Sequence, residues 1–203
     1  MKEPFFRAVY NPKLLRKMAQ HFGPVLYHHV EMTVSSLILR QMMDKAEGKK
    51  KPRRGEVVMV IPNQAGEFWL HTKDFYPTGV YRLMSGGLEA GENPLEALRR
   101  EALEETGFRV KVERCLAVVT YRLISQDLTI PFVSYVLLTS SGQSEPHPTD
   151  SSEMISHFQA VSLAGLLDTA RQLRQLDGDF ADWGTFRAVA HELAVTALQS
   201  YIK

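Results

Sequence analysis

The sequence predicts a mixed α/β domain, and three observations support this class. Short apolar runs with β-branched residues recur between residues 57 and 139. Apolar residues with helical spacing lie between and after these runs, and 44% of the 203 residues are apolar against 23% charged. This composition is typical of a globular chain that is long enough to bury a core without disulfides. We therefore expect an α+β or mixed α/β fold in which strands dominate the middle of the chain.

The charge and cysteine content exclude several classes of function. Lys and Arg total 24 and Asp and Glu total 23, so the net charge of +1 creates no overall field that attracts nucleic acid or an anionic membrane. The single cysteine, Cys115, cannot form an internal disulfide, which fits a reducing compartment. The N-terminus lacks the apolar core of a signal peptide, and no stretch reaches the roughly 18 apolar residues of a membrane span. We expect a cytoplasmic protein without a membrane partner.

The first fifty residues differ from the rest and are expected to form an extension, residues 1–50, before a main domain at 51–203. Asn11-Pro12 predicts the start of a helix that stops at Gly23. From 25 to 43, partial alternation and β-branched residues favour a strand. We expect this extension to pack on the main domain or to contact the partner in a homodimer.

Turn residues and apolar spacing predict the elements of the main domain. A basic run at 49–54 precedes them and is either a solvated loop or a tract that contacts phosphates. The predicted elements are, in order, a hairpin over 57–71 that turns at Gly66, a short strand over 81–84, a helix over 94–106 that stops at Gly107, strands over 110–123 and 128–139, a loop over 141–152, and helices over 163–176 and 185–201.

The predicted helix at 94–106 forms the last part of an unusually acidic segment. Six glutamates lie between residues 89 and 105, and the only local bases are Arg99 and Arg100. At about 100° per residue, Glu101, Glu104 and Glu105 share one face, beside the apolar stripe of the same helix. Like charges at these spacings destabilise a helix, and anions near its C-terminus oppose the helix dipole.

A divalent cation is the simplest compensation for these carboxylates, and oxygen ligands without His or Cys select Mg²⁺ or Mn²⁺. The glycine-rich loop that precedes the helix allows the backbone to approach a metal or a phosphate closely. The alternative is a surface helix whose glutamates pair with the two arginines and with solvent.

The segment over 86–108 resembles the Nudix box, the signature of the Nudix hydrolases. The residues that match the fixed positions of this pattern are Gly86, Glu92, Arg100, Glu101, Glu104, Glu105 and Gly107. Two positions depart from it, because Ala102 is smaller than the usual aliphatic residue and Phe108 is aromatic. Both remain apolar, so they still suit a packed position.

The resemblance implies an α/β/α sandwich around a mixed sheet and an enzyme that uses Mg²⁺ or Mn²⁺. Such enzymes cleave the pyrophosphate linkage of a nucleoside diphosphate attached to another moiety. By resemblance, Glu101 and Glu105 are metal ligands and Glu104 is a further ligand or a base. The carbonyl of Ser85 is an additional ligand, and Arg100 orients a glutamate.

Parts of the chain are similar to the ADP-ribose pyrophosphatase branch of the family, which makes ADP-ribose or a nucleotide sugar the first expected substrate. In that branch the base can lie on a later loop, where this chain has Glu153; the alternative is a solvated loop glutamate. Before the box, Arg82 replaces the usual glutamate of the branch, and it is expected to contact a phosphate or to pair with a glutamate. Base stacking is considered for aromatic residues that otherwise belong to the core or to hairpin pairs, namely Phe75, Tyr76, Tyr81 and Tyr121.

Two other functions compete with this hypothesis. The first is a regulatory Nudix module that binds nucleotides without catalysis, against which the intact set of glutamates argues. The second is processing of RNA ends, which the basic run at 49–54 favours and the net charge of +1 disfavours. The expected partner is therefore a small nucleotide substrate rather than nucleic acid.

Overall fold

The computed structural model describes residues 11–35, residue 38, and residues 55–125, 128–142 and 145–201. The helices in these ranges are α1 (Pro12–Phe22), α2 (Pro94–Thr106), α3 (Leu163–Arg174) and α4 (Ala181–Tyr201). The strands are β1 (Leu26–Thr33), β2 (Gly55–Val60), β3 (Phe68–Lys73), β4 (Met84–Gly87), β5 (Val112–Ser125), β6 (Leu128–Thr139) and β7 (Ile155–Val161). Short 3₁₀ helices cover Ser151–Glu153 and Gly178–Phe180.

Within the described residues, the main sheet has five strands in the order β1-β5-β6-β2-β4. The pairs β1–β5 and β2–β6 are parallel, while β5–β6 and β2–β4 are antiparallel. A second, two-stranded antiparallel sheet joins β3 to β7. The prediction of a mixed α/β fold is confirmed.

Helices cover both faces of the main sheet. Strand β2 shows this, since it is buried along its whole length and its side chains alternate between the two faces. Val57 and Met59 pack in one cluster with α1 and α2. Val58 and Val60 pack in another cluster with α3 and α4. The result is the three-layer α/β/α arrangement that the resemblance implied.

The N-terminal segment adds a helix and an edge strand to this sandwich. The Asn11 side chain accepts hydrogen bonds from the N–H groups of Lys13 and Leu14, and α1 ends at Gly23 with φ 84°, which confirms the predicted helix. Strand β1 confirms the first part of the strand expected over 25–43; residues 36, 37 and 39–43 lie outside the described residues. The basic run at 49–54 also lies outside them.

The hairpin expected over 57–71 is wrong. Strand β2 pairs with β4 and β6, whereas β3 pairs with β7 in the second sheet. Pro62 has no N–H to continue a ladder, so the two strands are linked by one bridge between Pro62 and Phe68. Its two bonds run from the Trp69 N–H to the Ile61 carbonyl and from the Asn63 N–H to the Glu67 carbonyl.

Two further strand assignments needed the tertiary structure. The strand expected over 81–84 is displaced to β4, and Arg82 forms an isolated bridge with His71 instead. Strand β7 was not predicted, because its exposed polar positions resemble a loop. The remaining predicted helices and strands are confirmed, with α4 starting four residues earlier, at Ala181 instead of residue 185.

Among the described residues, no helix is both long and apolar enough to cross a membrane.

Candidate active site

Helix α2 begins and ends where its local sequence dictates. The Asn93 side chain accepts from the backbone of Leu95 and Glu96, and the Glu96 side chain accepts in return from the Asn93 N–H, which forms a capping box. The helix ends at Gly107, whose φ of 73° lies in the left-handed region. These two caps fix the ends of the helix, and the packing of its apolar stripe in the core sets the direction of its acidic face.

The acidic face is turned toward the protein interior. Glu105 is fully buried, and Glu101 is 6% exposed. The Glu104 side chain is 34% exposed at the rim. The three predicted carboxylates thus share one face of α2, and two of them are inside the fold.

Strand β4 passes directly over Glu101. A Cβ placed on Gly86 would lie 1.7 Å from Cδ of Glu101, so any other residue at position 86 would displace this carboxylate. Gly86 therefore brings the backbone of β4 against the helix, and the neighbouring Ser85 belongs to the same short strand.

Arg100 gathers the glutamates at the outer side of the site. Its guanidinium donates to Glu101 at 2.8 Å and to Glu104 at 3.0 Å. It also binds both oxygens of Glu92, at 3.0 and 2.9 Å, and the Gly87 carbonyl at 2.9 Å. These bonds to Arg100 hold the pKa of Glu92 below its ordinary value. Arg100 therefore holds these carboxylates in place, as expected of a residue that orients them.

Lys73 links α2 to the predicted base. Its Nζ lies 3.1 Å from Oε1 of Glu105 and 2.5 Å from Oε2 of Glu153. Glu153 is in the 3₁₀ helix before β7, and Lys73 is the last residue of β3, the strand that pairs with β7. The structure thereby brings Glu153 to the same ammonium group as Glu105. Sequence reasoning did not identify Lys73.

Burial opposes the ionisation of the two inner glutamates. Burial raises the pKa of Glu105 to about 7, although Lys73 and Arg82 lower it. Burial also raises the pKa of Glu101 to about 6, against the lowering effect of Arg100. Neither Glu105 oxygen accepts a hydrogen bond within the described residues, so the Lys73 ammonium neutralises this carboxylate only in part.

The carboxylates fit a hard divalent cation. Among the described residues, no three His, Cys, Asp or Glu side chains already converge on one point, and Arg100 and Lys73 pair with the carboxylates instead. The oxygens of Glu105 are nevertheless buried without a hydrogen-bond donor. Carboxylates beside a backbone carbonyl are the donor type that Mg²⁺ and Mn²⁺ prefer. An added positive charge would favour the ionised form of both glutamates, which burial disfavours.

Two arginines, Arg82 and Arg187, donate hydrogen bonds to the Ser85 hydroxyl. Nη1 of Arg82 and Nη1 of Arg187 each lie 3.0 Å from Ser85 Oγ. Arg187 also pairs with buried Glu56 at 2.8 Å, and Ser134 donates to the same carboxylate at 2.8 Å. Ser85, the residue with the expected carbonyl ligand, is therefore anchored to α4 and to the centre of the sheet.

Arg82 is buried rather than exposed to a ligand. It is 4% exposed and donates to the Tyr76 hydroxyl, the Leu83 carbonyl and Ser85. Within the described ranges it forms no ion pair with a glutamate, although its charge lowers the pKa of Glu105; pairing with a glutamate stays a prediction. A contact between Arg82 and a phosphate stays a prediction.

Two buried histidines, His71 and His191, lie near Arg82 and Arg187. Burial holds the pKa of His71 well below its ordinary value, and neither of its ring nitrogens has a hydrogen-bond partner among the described residues. Burial also lowers the pKa of His191 to about 4. The Leu83 N–H donates to Nε2 of His191, so Nδ1 carries the proton and donates to the Arg187 carbonyl. His191 thus ties α4 to the segment that enters β4.

The aromatic residues considered for stacking divide into core and surface positions. Tyr121 is 1% exposed and packs against Phe132 and Phe186, so a stacking role for Tyr121 is wrong. Phe75 is 48% exposed. The Tyr81 hydroxyl lies 2.9 Å from Nδ1 of His157. Substrate contacts of Phe75 and Tyr81 stay predictions.

The family of this chain is shown by comparison with known proteins. The model of the NUDIX domain matches residues 52–184, which include β2 to β7 and the whole carboxylate cluster. The chain belongs to the Nudix family. Members of this family generally use a divalent metal ion.

Relatives and solved structures agree with this membership. An RNA pyrophosphohydrolase from Bartonella bacilliformis is 37% identical over 68 residues, a match to 30% of this chain and 40% of that relative's length. A MutT protein from Methanosarcina mazei Go1 superposes with a TM-score of 0.50 at 20% identity, over 75% of this chain and 98% of its own. A UDP-X diphosphatase gives the same TM-score and identity over 99% of this chain and 86% of its own. At this identity, the two structures support the fold alone.

Proposed function

We propose that this protein hydrolyses the pyrophosphate linkage of a nucleoside diphosphate joined to another moiety, with ADP-ribose or a nucleotide sugar as the first substrates to test. The observation that carries the proposal is the pair of buried glutamates on α2, with the third carboxylate of Glu153 held at the same lysine as Glu105. These three carboxylates, together with the close backbone approach that Gly86 allows, fit a site where a cation assists attack by water. They fit a solvated surface helix less well, because two of them are buried.

Each residue of the cluster has a separate proposed role. Glu101 and Glu105 hold the divalent cation, taken as Mg²⁺ or Mn²⁺, together with the Ser85 carbonyl. Glu104, at the rim, is a further ligand or an alternative base. Arg100 keeps Glu101 and Glu104 in their orientation, because three of its nitrogens are bound to carboxylates or to the backbone.

The proposed mechanism is a water attack on the pyrophosphate. When bound, the cation neutralises phosphate oxygens and lowers the pKa of water. Glu153 accepts the proton of the attacking water, since it is exposed enough to reach solvent and is positioned by Lys73. Lys73 also holds Glu105 in register with Glu153, so the base and the cation ligands stay together.

A product-resolved hydrolysis screen with Mg²⁺ tests this proposal. The panel holds ADP-ribose, nucleotide sugars, NADH, dinucleoside polyphosphates, nucleoside triphosphates and triphosphorylated or capped RNA. Glu105→Gln and Glu153→Gln should each lower turnover by about a hundredfold or more. Glu113→Gln is the matched control, because Glu113 is exposed on β5. Full activity of both site variants would remove the cluster from the mechanism.

Processing of RNA 5′ ends is the second candidate, favoured by the similarity to the RNA pyrophosphohydrolase. This reaction uses the same cluster on a longer substrate. Hydrolysis of RNA that weakens steeply with salt, with slow cleavage of ADP-ribose, would favour it. Rapid cleavage of a small nucleotide derivative that is insensitive to salt would favour the first proposal.

We also propose that residues 1–50 are an extension of a hydrolase domain at 51–203. The contact of α1 with β5 and the pairing of β1 with β5 support an extension that packs on this domain.

A further inference from the structure

A cavity of about 520 Å³ lies outside the carboxylate cluster, and Ile155, two positions after Glu153, is one of its lining residues. Its floor is β7 from Ile155 to Ala160 together with Trp69 of β3, and its wall is the segment from Glu145 to Pro148. This volume is within the range of small-molecule sites, about 300–1,000 Å³. No residue of the cavity wall has a role in the proposed hydrolysis.

The cavity presents two half-buried aromatic rings on one surface. Trp69 pairs with Ala160 and His71 pairs with Phe158 across the two strands, so Trp69 and Phe158 belong to the same face of the small sheet. These diagonal positions are about 7–8 Å apart at the backbone, and both side chains also pack in part against the core cluster that includes α1 and α2.

The open edge of β7 also offers hydrogen-bonding groups to the cavity. Among the described residues, β7 pairs with β3 along one edge and with no strand along the other. An open strand edge presents alternating N–H donors and carbonyl acceptors. The cavity therefore combines an apolar face with a row of donors and acceptors.

The cavity is joined to the reaction centre at both of its sides. Ile155, at one end, pairs with Lys73, which holds Glu105 and Glu153. On the other side, the N–H groups of His147 and Thr149 donate to the carbonyls of Thr106 and Glu104, in the last turn of α2. Both sides of the cavity are thus connected to segments that hold the carboxylates.

We infer that this cavity binds the nucleobase of the substrate. A base has two flat apolar faces and an edge of donors and acceptors, which match the Trp69 and Phe158 rings and the open edge of β7. The sugar and phosphates would extend from the Ile155 end toward Lys73. This inference rests on the proposed function and assigns the part of the substrate that is not hydrolysed.

Tryptophan fluorescence tests the inference without any turnover. The chain has two tryptophans, and Trp183 is fully buried against Tyr76 and Phe180, away from ligand contact. AMP, GMP, CMP and UMP are titrated into the protein in EDTA, and binding is measured in parallel by equilibrium dialysis. At least one nucleotide should quench the emission to saturation, and the Trp69→Phe variant should show no quenching.

Dialysis and kinetics of Trp69→Leu complete the test. Loss of stacking should raise the Kd of the nucleotide, and the KM of its diphosphate derivative, by about tenfold or more at nearly unchanged kcat. Leu128→Ala, at an exposed residue of β6, is the matched control and should behave as wild type. Absence of binding to every nucleotide, or binding that leaves Trp69 emission and the Trp69→Leu affinity unchanged, would overturn the inference.

The two proposals fail in different ways. Efficient hydrolysis with an unchanged KM in Trp69→Leu would refute the base site and leave the proposed reaction intact. Quenching by a nucleotide without hydrolysis of any panel compound would refute the reaction and leave the base site intact.

Discussion

Replacing Glu105 with glutamine should make stability depend less on pH, in addition to removing turnover. In the folded protein, burial raises the pKa of Glu105 from its ordinary value of 4.5 to about 7. The folded state therefore favours the protonated form. Stability from this group is complete at low pH and declines as the pH rises from about 4.5 to about 7, because the buried carboxylate must then ionise.

The size of this decline follows from the pKa difference. A change from 4.5 to about 7 corresponds to about 3 kcal/mol of unfolding free energy. Glutamine has the shape of the protonated acid and does not ionise. Its amide can leave N–H groups unpaired, at a cost of about 1–3 kcal/mol, but that cost is the same at every pH. The variant should thus gain about 3 kcal/mol on the wild type between pH 4.5 and pH 8.

Urea unfolding in EDTA at several pH values measures this gain. Lys73 keeps its bond to Glu153 in the variant, so the ammonium is not left alone. The exposed Glu113→Gln variant serves as the control and should show a difference that is nearly independent of pH. If the difference for Glu105→Gln is equally independent of pH, Glu105 ionises as freely as a surface carboxylate and its pKa is not raised by burial.

Three more predictions concern the frame of the site. Gly86→Ala should lower turnover by about a hundredfold with the fold retained by circular dichroism, because the new Cβ would meet the Glu101 carboxyl; normal turnover would contradict the close approach of β4. Arg187→Met should destabilise the protein by about 3–5 kcal/mol in urea, since it leaves Glu56 buried without its cation. Part of that loss should return in the double variant with Glu56→Gln, and no recovery would mean that packing rather than charge is responsible. Mg²⁺ at about a hundred times its Kd should stabilise the wild type by about 2.7 kcal/mol in thermal unfolding; an equal effect on Glu101→Gln would place the cation elsewhere.

The local half of the site could be predicted because one helix contains it. The spacing of Glu101, Glu104 and Glu105 fixes their shared face wherever the helix packs, and Asn93 and Gly107 fix its ends. The structure adds that this face is turned inward, which the neighbouring apolar stripe had indicated.

The other half could not be predicted because it depends on contacts between distant segments. Lys73, Arg187 and Glu56 come from β3, α4 and β2, and no periodicity in the sequence relates them. One signal was available for Lys73: a lysine two residues from His71, on a strand that is otherwise buried, needs a negative partner. The prediction of a hairpin between β2 and β3 obscured it, because that pairing would have placed Lys73 away from the helix.

The parallel pairing of β1 with β5 also sets the order in which the chain can mature during synthesis. Register partners such as His29 and Thr120 are 91 positions apart, so at about 5–20 residues per second the ribosome needs roughly 5–20 s to supply the partner strand. Throughout that interval the early strand has no ladder to join. Its exposed His28, His29 and Glu31 give it a polar surface that discourages pairing with other nascent chains. The polar residues of β1, which lie at the edge of the finished sheet, thus also protect the chain from pairing with other nascent chains before β5 is synthesised.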